Sequence, residues 1–243
     1  MHKVIILQAR LSSSRLPKKV LADLSGKSVV AHVIDRLRAA KLADEVCVAI
    51  PTDAVEDELA AALADSGVTI VRGSQHDVLG RFIQAAYQTR ADVIVRTTAD
   101  NALVSFEEID RQLAALEADP ELEYLITAGY PMGITPETFT LKALEKLDYL
   151  ARHAHMREHV TLYIRENPGP FNAKTLKAPP ELSEPDLRLT IDTAEDLELL
   201  REVYRRLYEP GRPIELSDVL ELVRAEPALE RLCRQPVILP ASA

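Results

Sequence analysis

The sequence predicts an α/β fold built on a doubly wound, mostly parallel sheet. Short, continuously apolar, β-branched runs alternate with segments whose apolar residues recur at helical spacing. Unbroken apolar runs are typical of parallel strands that helices cover on both faces. The chain has 243 residues and is 47% hydrophobic, which is enough to bury one large core. We therefore expect residues 1–243 to form a single domain.

Four strands and three helices alternate through the first hundred residues. The predicted strands cover residues 3–9, 45–50, 68–73 and 92–98, and the predicted helices cover 28–41, 54–66 and 77–89. Ser105 and Glu108 then have the spacing of a capping box, which predicts a helix that ends near Leu116. Right-handed crossovers would connect the parallel strands.

The alternation stops in the second half of the chain. Residues 128–190 are predicted to form a small excursion from the main sheet, used for substrate or subunit contacts. Within it, the pattern predicts a helix over 154–167 and a strand over 171–177. A strand, turn and helix are predicted over 186–208, and 215–232 is predicted as a final amphipathic helix.

The composition excludes several classes of protein. A net charge of −9 and the lack of interleaved basic and aromatic residues argue against a nucleic-acid polymer as partner. No apolar run approaches the length of a membrane span, so no membrane partner is expected. Cys47 and Cys233 are too far apart in sequence to indicate a disulfide framework or a metal cluster. These features predict a cytoplasmic protein.

A basic, hydroxyl-rich loop follows the first predicted strand in the stretch "LQARLSSSRLPKKVL". Its cations can neutralise phosphate charge, and its hydroxyls and backbone N–H groups can donate to phosphate oxygens; they are Arg10, Ser12, Ser13, Ser14, Arg15, Lys18 and Lys19. The loop matches neither the G-x-G-x-x-G nor the P-loop pattern. It fits a polyphosphate ligand, and the alternative is a solvated surface loop.

Two aspartates close predicted strands elsewhere in the chain. Asp100 ends "VIVRTTAD" and Asp192 ends "LTID". Each alone fits a turn or a helix cap, and Thr193 with Asp196 has the spacing of a capping box. Two carboxylates at strand ends beside a basic loop also suit Mg²⁺ and a nucleoside triphosphate.

Two further segments carry polar residues that fit either a structural role or a role in binding. Arg72, Gly73 and Asp77 follow the third strand, where "SQHD" also fits a helix cap from Ser74 to Asp77. His155 and His159 lie one helical turn apart but do not form the H-E-x-x-H zinc motif. By default these histidines would pack in the fold or at a subunit interface, and the alternative is that they contact a substrate.

Six blocks in this order resemble the cytidylyltransferases that activate acidic sugars, in particular the spore coat polysaccharide biosynthesis branch. They are "LQARLSSSRLPKKVL", "RGSQHDVLGRF", "VIVRTTADNAL", "YPMGITPETF", "REHVTLYIRENP" and "LRLTIDTAEDLELL". They span residues 3 to about 207. The resemblance implies a fold like that of the nucleotide-diphospho-sugar transferases, and it implies a homodimer.

The resemblance also implies roles for individual residues. The implied nucleotide-binding set is Gln8, Ala9, Arg10, Ser12, Ser13, Ser14, Arg15, Lys19, Arg72, Gly73 and Asp77. Asp100 and Asp192 would hold Mg²⁺. The acceptor side or the dimer contact would include Gly133, Glu137, Glu158 and His159.

Three of the motifs depart from the family pattern. Lys18 replaces a usual glycine, Asn101–Ala102 replaces a usual Cys-Pro, and Met132 stands where an acidic residue is common. The first two bear on phosphate geometry and the third on the identity of the acceptor.

These observations together predict transfer of CMP from CTP to an anionic acceptor, with release of pyrophosphate. The acceptor would be an acidic sugar, a phosphate or a phosphonate. The predicted catalytic residues are Arg15, Lys19, Asp100 and Asp192. One alternative is a glycosyltransferase with a nucleotide-sugar donor, although the chain has no D-x-D motif. The other is a non-catalytic nucleotide-binding homologue.

Overall fold

The computed structural model describes residues 1–234. The strands are β1 (Lys3–Gln8), β2 (Asp23–Leu24), β3 (Lys27–Ser28), β4 (Glu45–Pro51), β5 (Thr69–Gly73), β6 (Val93–Thr98), β7 (Tyr124–Ala128), β8 (Glu137–Thr140) and β9 (Ala173–Lys177). The α-helices are α1 (Val29–Leu37), α2 (Asp57–Leu63), α3 (Val78–Gln88), α4 (Phe106–Ala118), α5 (Leu141–Leu150), α6 (Ala154–Glu158), α7 (Leu162–Glu166), α8 (Ala194–Leu207), α9 (Leu216–Ala225) and α10 (Pro227–Cys233).

Seven of the strands form one central sheet, in the order β5-β4-β1-β6-β8-β7-β9. The pairs on the β1 side are all parallel, and β9 pairs parallel with β7. Only β8 is reversed, because it pairs antiparallel with both β6 and β7. The predicted α/β fold with a mostly parallel sheet is confirmed.

Strand β1 shows why its sequence is apolar without interruption. Ile5 and Leu7 pack into the core on one face of the sheet, and Val4 and Ile6 pack into the core on the other. All four side chains are fully buried. Burial of each stabilises the fold by about 2 kcal/mol.

Helix starts largely follow the predicted caps. Asp77 is the N-cap of α3 and accepts from the Gly80 N–H at 2.9 Å, while the Ser74 hydroxyl accepts from the Asp77 N–H. The predicted capping box of Thr193 with Asp196 is present at α8. At α4, the Ser105 hydroxyl caps the helix as expected. The reciprocal hydrogen bond of the capping box, from the Ser105 N–H to the Glu108 side chain, is absent, because the Ser105 N–H donates to the Ile134 carbonyl.

Three elements of the second half differ from the prediction. Residues 154–167 form two short helices, separated where the buried Thr161 hydroxyl donates to Glu137. The predicted strand at the start of 186–208 has only an isolated bridge, between Arg188 and Met132. The final helix is divided at Pro227, which has no N–H to continue α9 and instead occupies the first turn of α10.

The segment 128–190 contributes two strands, β8 and β9, to the main sheet. Only the remainder lies outside the sheet, and its predicted use for substrate or subunit contacts stays a prediction. The sequence did not predict β7, β8 or α5. Strand β8 is only four residues long and buries Glu137, so it lacks an apolar pattern.

Within residues 1–234, no helix is long and apolar enough to cross a membrane. Cys47 and Cys233 are both free and buried. Burial raises the pKa of each thiol to about 12, so both pack as neutral apolar groups.

Candidate active site

A polar cleft opens where the strand order of the sheet reverses. From β1 the chain proceeds to β4 and β5 on one side and then to β6 on the other. Ligands of such sheets bind in the crevice at the carboxyl ends of the strands at this point. The cleft is lined by Gln8, Ala9, Arg10, Ser13, Ser14, Arg15, Lys19, Val20, Thr98, Ala99, Asp100 and Asp192. Nine of these twelve belong to the predicted site.

The loop after β1 is closed by its own backbone. The N–H groups of Ser13 and Lys18 both donate to the Leu11 carbonyl, at 2.8 and 3.0 Å. Lys18 has a φ of +59°, a conformation that favours glycine. Its ammonium pairs with Glu58, and Lys18 does not line the cleft. The left-handed turn at Lys18 is followed by a 3₁₀ turn that begins at Lys19.

Lys19 joins three distant segments of the chain. Its ammonium donates to Asp100 Oδ2 at 2.7 Å, to Asp192 Oδ1 at 3.0 Å and to the Ile191 carbonyl at 2.6 Å. These three bonds use all of its N–H donors. The Ile191 N–H also donates to the Asp100 carbonyl, so the segment before α8 lies directly against the end of β6.

The Asp192 carboxylate is surrounded by cations. Arg15 Nη2 lies 2.9 Å from Oδ1, and Arg188 Nη2 lies 2.8 Å from Oδ2. Burial alone would raise the pKa of Asp192, but the hydrogen bonds from Arg188 and Lys19 and the charges of Lys19 and Arg15 outweigh it and lower that pKa. Asp192 is therefore ionised at neutral pH. Asp100 accepts a further hydrogen bond of 2.6 Å from the Thr98 hydroxyl.

Arg188 positions Asp192 through the first turn of α8. Its guanidinium donates twice to Asp196, at 3.1 and 2.8 Å. Asp196 in turn accepts from the N–H groups of Asp192 and Thr193, both at 2.8 Å. The sequence analysis missed Arg188, although its spacing of four residues from Asp192 was a usable signal.

The two cleft aspartates fit a single divalent cation. Residues 1–234 contain no group of three or more His, Cys, Asp or Glu side chains arranged to hold a metal. Magnesium is commonly held by one or two carboxylates together with phosphate oxygens and water. The Lys19 ammonium contacts one oxygen of each carboxylate, at 2.7 and 3.0 Å, so both carboxylates face the same cationic group.

Four residues of the predicted nucleotide-binding set lie outside the cleft lining. The nitrogens of Arg72 donate to the Asp57 carboxylate at 2.6 Å and to the carbonyls of Pro51 and Asp53 at 3.2 and 3.1 Å. Asp77 caps α3 and pairs with Arg157. Gly73 ends β5. Their contacts with the nucleotide stay predictions. Ser12 also lies outside this lining, and its hydroxyl is buried without a hydrogen-bond partner.

The predicted acceptor residues have different surroundings. Gly133 has a φ of +97°, and a Cβ there would lie 2.8 Å from the Leu189 carbonyl, so only glycine fits. Glu137 is buried in contact with Arg96. Burial would raise the pKa of Glu137, but the charge of Arg96 and the hydrogen bond from Thr161 outweigh it and lower that pKa.

Of this set, Glu158 reaches a residue of the cleft. Its carboxylate lies 4.0 Å from Arg10 Nη1. His159 is exposed and stacks edge-on against His155, with ring centroids 4.8 Å apart. Contacts of these residues with an acceptor or with a second subunit stay predictions.

Comparison with known proteins shows which family has this sequence and fold. A family model described as cytidylyltransferase matches residues 4–220. An uncharacterized protein of Methanocaldococcus jannaschii is 41% identical over 201 residues, which are 82% of each chain. Spore coat polysaccharide biosynthesis protein SpsF of Bacillus subtilis is 33% identical over 230 residues, covering 92% of this chain and 95% of SpsF.

More distant similarities point the same way. The 3-deoxy-manno-octulosonate cytidylyltransferase of Chlorobium phaeobacteroides is 34% identical over 175 residues, covering 70% of this chain and 66% of that protein. The solved structure of a cytidylyltransferase from Leptospira borgpetersenii has a TM-score of 0.88 and 29% identity, covering 98% of this chain and 100% of the other. The chain therefore belongs to the cytidylyltransferase family, as its six motifs predicted.

Proposed function

We propose that the protein transfers CMP from CTP to a small anionic acceptor and releases pyrophosphate. The observation that supports this most strongly is the convergence of Lys19, Asp100 and Asp192 beside the loop after β1. A basic loop and two carboxylates at a switch point of the sheet match the needs of a metal-bound triphosphate.

The basic side of the cleft would bind the leaving group. An acceptor oxygen attacks the α-phosphorus, the bond to the bridging oxygen of the β-phosphate breaks, and its electron pair leaves with pyrophosphate. Arg15 and Lys19 would offset the charge that develops on that leaving oxygen. The hydroxyls of Ser13 and Ser14 and the N–H group of Ser14 would orient the phosphates. No protein nucleophile is required.

Asp100 and Asp192 are the residues that would hold Mg²⁺. When bound there, the cation would neutralise phosphate charge and polarise the reacting oxygens. Arg188 would keep Asp192 in place, and Thr98 would do the same for Asp100. A phosphate or phosphonate oxygen is already deprotonated at neutral pH and needs little help from a general base, whereas a sugar hydroxyl would need activation by the metal.

The relatives support an acidic sugar as acceptor. Several are named as cytidylyltransferases of 3-deoxy-manno-octulosonate, which is a sugar acid. We extend to this chain only the class of acceptor. The predicted homodimer and the acceptor contacts of Glu158 and His159 belong to the same proposal.

Pyrophosphate release is the direct test. The protein is incubated with Mg²⁺ and CTP together with a panel of sugar acids, sugar phosphates, phosphonates and neutral sugars. We expect release that depends on an anionic member of the panel and on CTP. Lys19→Ala should abolish it, and Lys18→Ala is the matched control because that neighbouring lysine pairs with Glu58 outside the cleft.

Two results would contradict the proposal. One is transfer from a nucleotide-sugar donor without use of CTP. The other is nucleotide binding with no pyrophosphate release for any member of the panel.

A further inference from the structure

A second cavity, of about 290 Å³, lies outside the cleft. Its walls are formed by β3 and α1, by the C-terminal end of α8 and by residues 211–214 of the turn that follows α8. It shares no lining residue with the cleft. Small-molecule pockets of proteins begin at about 300 Å³, so this cavity has the volume for one small organic ligand.

Arg36, in α1, is a buried cation in the wall of this cavity. The residue is 4% exposed. Its Nε donates to the Val104 carbonyl at 2.9 Å, and its Nη1 donates to the Ile214 carbonyl at 2.7 Å. Ile214 also lines the cavity, so the Nη end of the guanidinium lies at the cavity wall.

The third nitrogen of Arg36, Nη2, is available to a ligand. Within residues 1–234 it has no hydrogen-bond partner. It is not among the side-chain atoms that are buried without a partner, so it retains accessible surface. Burial lowers the pKa of Arg36 despite the charges of Glu107 and Glu215, and the guanidinium stays protonated at neutral pH. A buried cation of this kind is stabilised by an anion that reaches it.

The charges that line the cavity also favour an anion. Lys27, Arg36 and Arg212 face a single acid, Asp35, although the whole chain has a net charge of −9. Lys27 donates to Asp35 at 2.7 Å, and Arg212 is exposed with its Nη1 4.0 Å from Glu209. Arg36 is therefore the buried charge that remains to be balanced, and it calls for one negative charge.

Aromatic rings form another part of the wall. The His32 ring packs edge-on against Tyr204 and Tyr208, with centroids 4.6 and 4.8 Å apart. The Tyr204 hydroxyl donates to the Ala102 carbonyl and His32 Nε2 donates to the Leu24 carbonyl, both at 2.7 Å, which fixes two of the three rings. Burial lowers the pKa of His32, so the ring is neutral at neutral pH. Such rings favour contact with another flat aromatic group.

We propose that this cavity is a binding site for a small aromatic monocarboxylate. The carboxylate accepts from Arg36 Nη2, and the ring packs against His32 and Tyr208. A phosphate dianion fits less well, because its second charge would be buried without a second unpaired cation. The site is separate from the cleft, and the inference does not depend on the proposed function.

Titration of the isotopically labelled protein with benzoate, followed by the NMR shifts of its backbone amides, tests the site. We expect saturable changes that are largest in α1 and at Gly211, Arg212 and Ile214. Benzamide has the same shape without the charge, and its affinity should be about 10-fold or more lower, since it loses the bond between the carboxylate and a buried arginine. Cyclohexanecarboxylate has the charge without the flat ring and should also bind more weakly than benzoate.

Two variants test the two halves of the site. Arg36→Gln should weaken benzoate binding by about 10- to 100-fold and leave benzamide binding nearly unchanged. It also removes hydrogen bonds to two backbone carbonyls, so its circular dichroism and melting temperature are measured as well. Tyr208→Leu leaves those hydrogen bonds in place and should weaken benzoate and benzamide alike. Arg231→Gln, at an exposed position on α10, is the matched control and should bind benzoate like the wild type.

Three outcomes overturn the inference. Equal affinity for benzoate and benzamide would mean that the cavity does not select an anion. Shift changes concentrated at residues 12–19, or loss of benzoate binding in Arg15→Gln, would place the anion in the cleft. Wild-type protein without saturable benzoate binding would refute the site. None of these measurements uses CTP, so failure of the proposed function would leave them unaffected.

Discussion

Two carboxylate clusters of this protein have opposite surroundings. Glu108, in α4, has a fully buried side chain and accepts hydrogen bonds from Arg111 at 2.8 and 3.0 Å, from Tyr130 at 3.0 Å and from Thr127. In the cleft, the side chains of Asp100 and Asp192 are 25% and 18% exposed. Their strongest partners are the cations of Lys19, Arg15 and Arg188.

The two clusters differ in whether a ligand can reach the groups that hold the carboxylates. The Thr127 and Tyr130 residues whose hydroxyls donate to Glu108 are both buried. Arg15 is 41% exposed and lies at the opening of the cleft, where a phosphate can compete for it. A fully buried carboxylate that accepts from two buried hydroxyls as well as from an arginine stabilises the fold, whereas partly exposed carboxylates held mainly by cations at an opening are ready to bind a ligand.

The largest expected effect is on catalysis in the cleft. Asp100→Ala and Asp192→Ala should each lower CTP-dependent pyrophosphate release by at least about 100-fold, because each removes charge aligned with the reacting phosphates. Circular dichroism and the melting temperature should show that the fold persists. Full retention of release in either variant would remove that aspartate from the metal site.

The second expected effect is on stability around Glu108. Glu108→Ala should lower the free energy of unfolding by about 3 kcal/mol, since it leaves buried hydroxyls without an acceptor and creates a cavity. Urea denaturation measures this loss. The affinity for CTP should stay unchanged below the transition. Glu117→Ala removes an exposed ion pair with Lys3 and should cost less than about 1 kcal/mol.

The smallest expected effect concerns acid stability at the cleft. Burial would raise the pKa of Asp196, but its hydrogen bonds from Arg188 and the backbone lower it below the unfolded value of about 4. A lowered carboxyl pKa stabilises the fold above about pH 4, and this contribution is lost as pH falls through the folded pKa. Asp196→Asn should therefore flatten the decline of stability below pH 4, measured by urea denaturation across pH. If the free energy of unfolding of Asp196→Asn fell below pH 4 as steeply as that of the wild type, the prediction would be wrong.

Much of the cleft could be predicted from the sequence because parallel strands end at one edge. The residues after β1 and β6 must meet there once the fold class is known, and this brings Lys19 and Asp100 together. Asp192 was also predicted to join them, although the strand expected before it is only a bridge. Backbone hydrogen bonds to Asp100 and Met132 position that segment without regular strand pairing.

The remaining features depend on contacts between residues distant in sequence. Arg81, in α3, looks like an ordinary polar residue of an amphipathic helix, and only the structure shows that its Nε and Nη2 are buried without an acceptor. Strand β8 was missed because a buried Glu137 breaks the apolar pattern, and its partner Arg96 is 41 residues away. Local periodicity contains no information about such pairings.

The reversed direction of β8 affects how this architecture can diversify. Because β7 ends where β8 begins, the eight residues 129–136 that join them remain at the carboxyl edge of the sheet and require no crossover helix. Their neighbour in space is the segment around Arg188. Insertions or exchanges in this short connection can therefore reshape the carboxyl edge of the sheet beside Arg188, while the loop that would bind the phosphates is left intact.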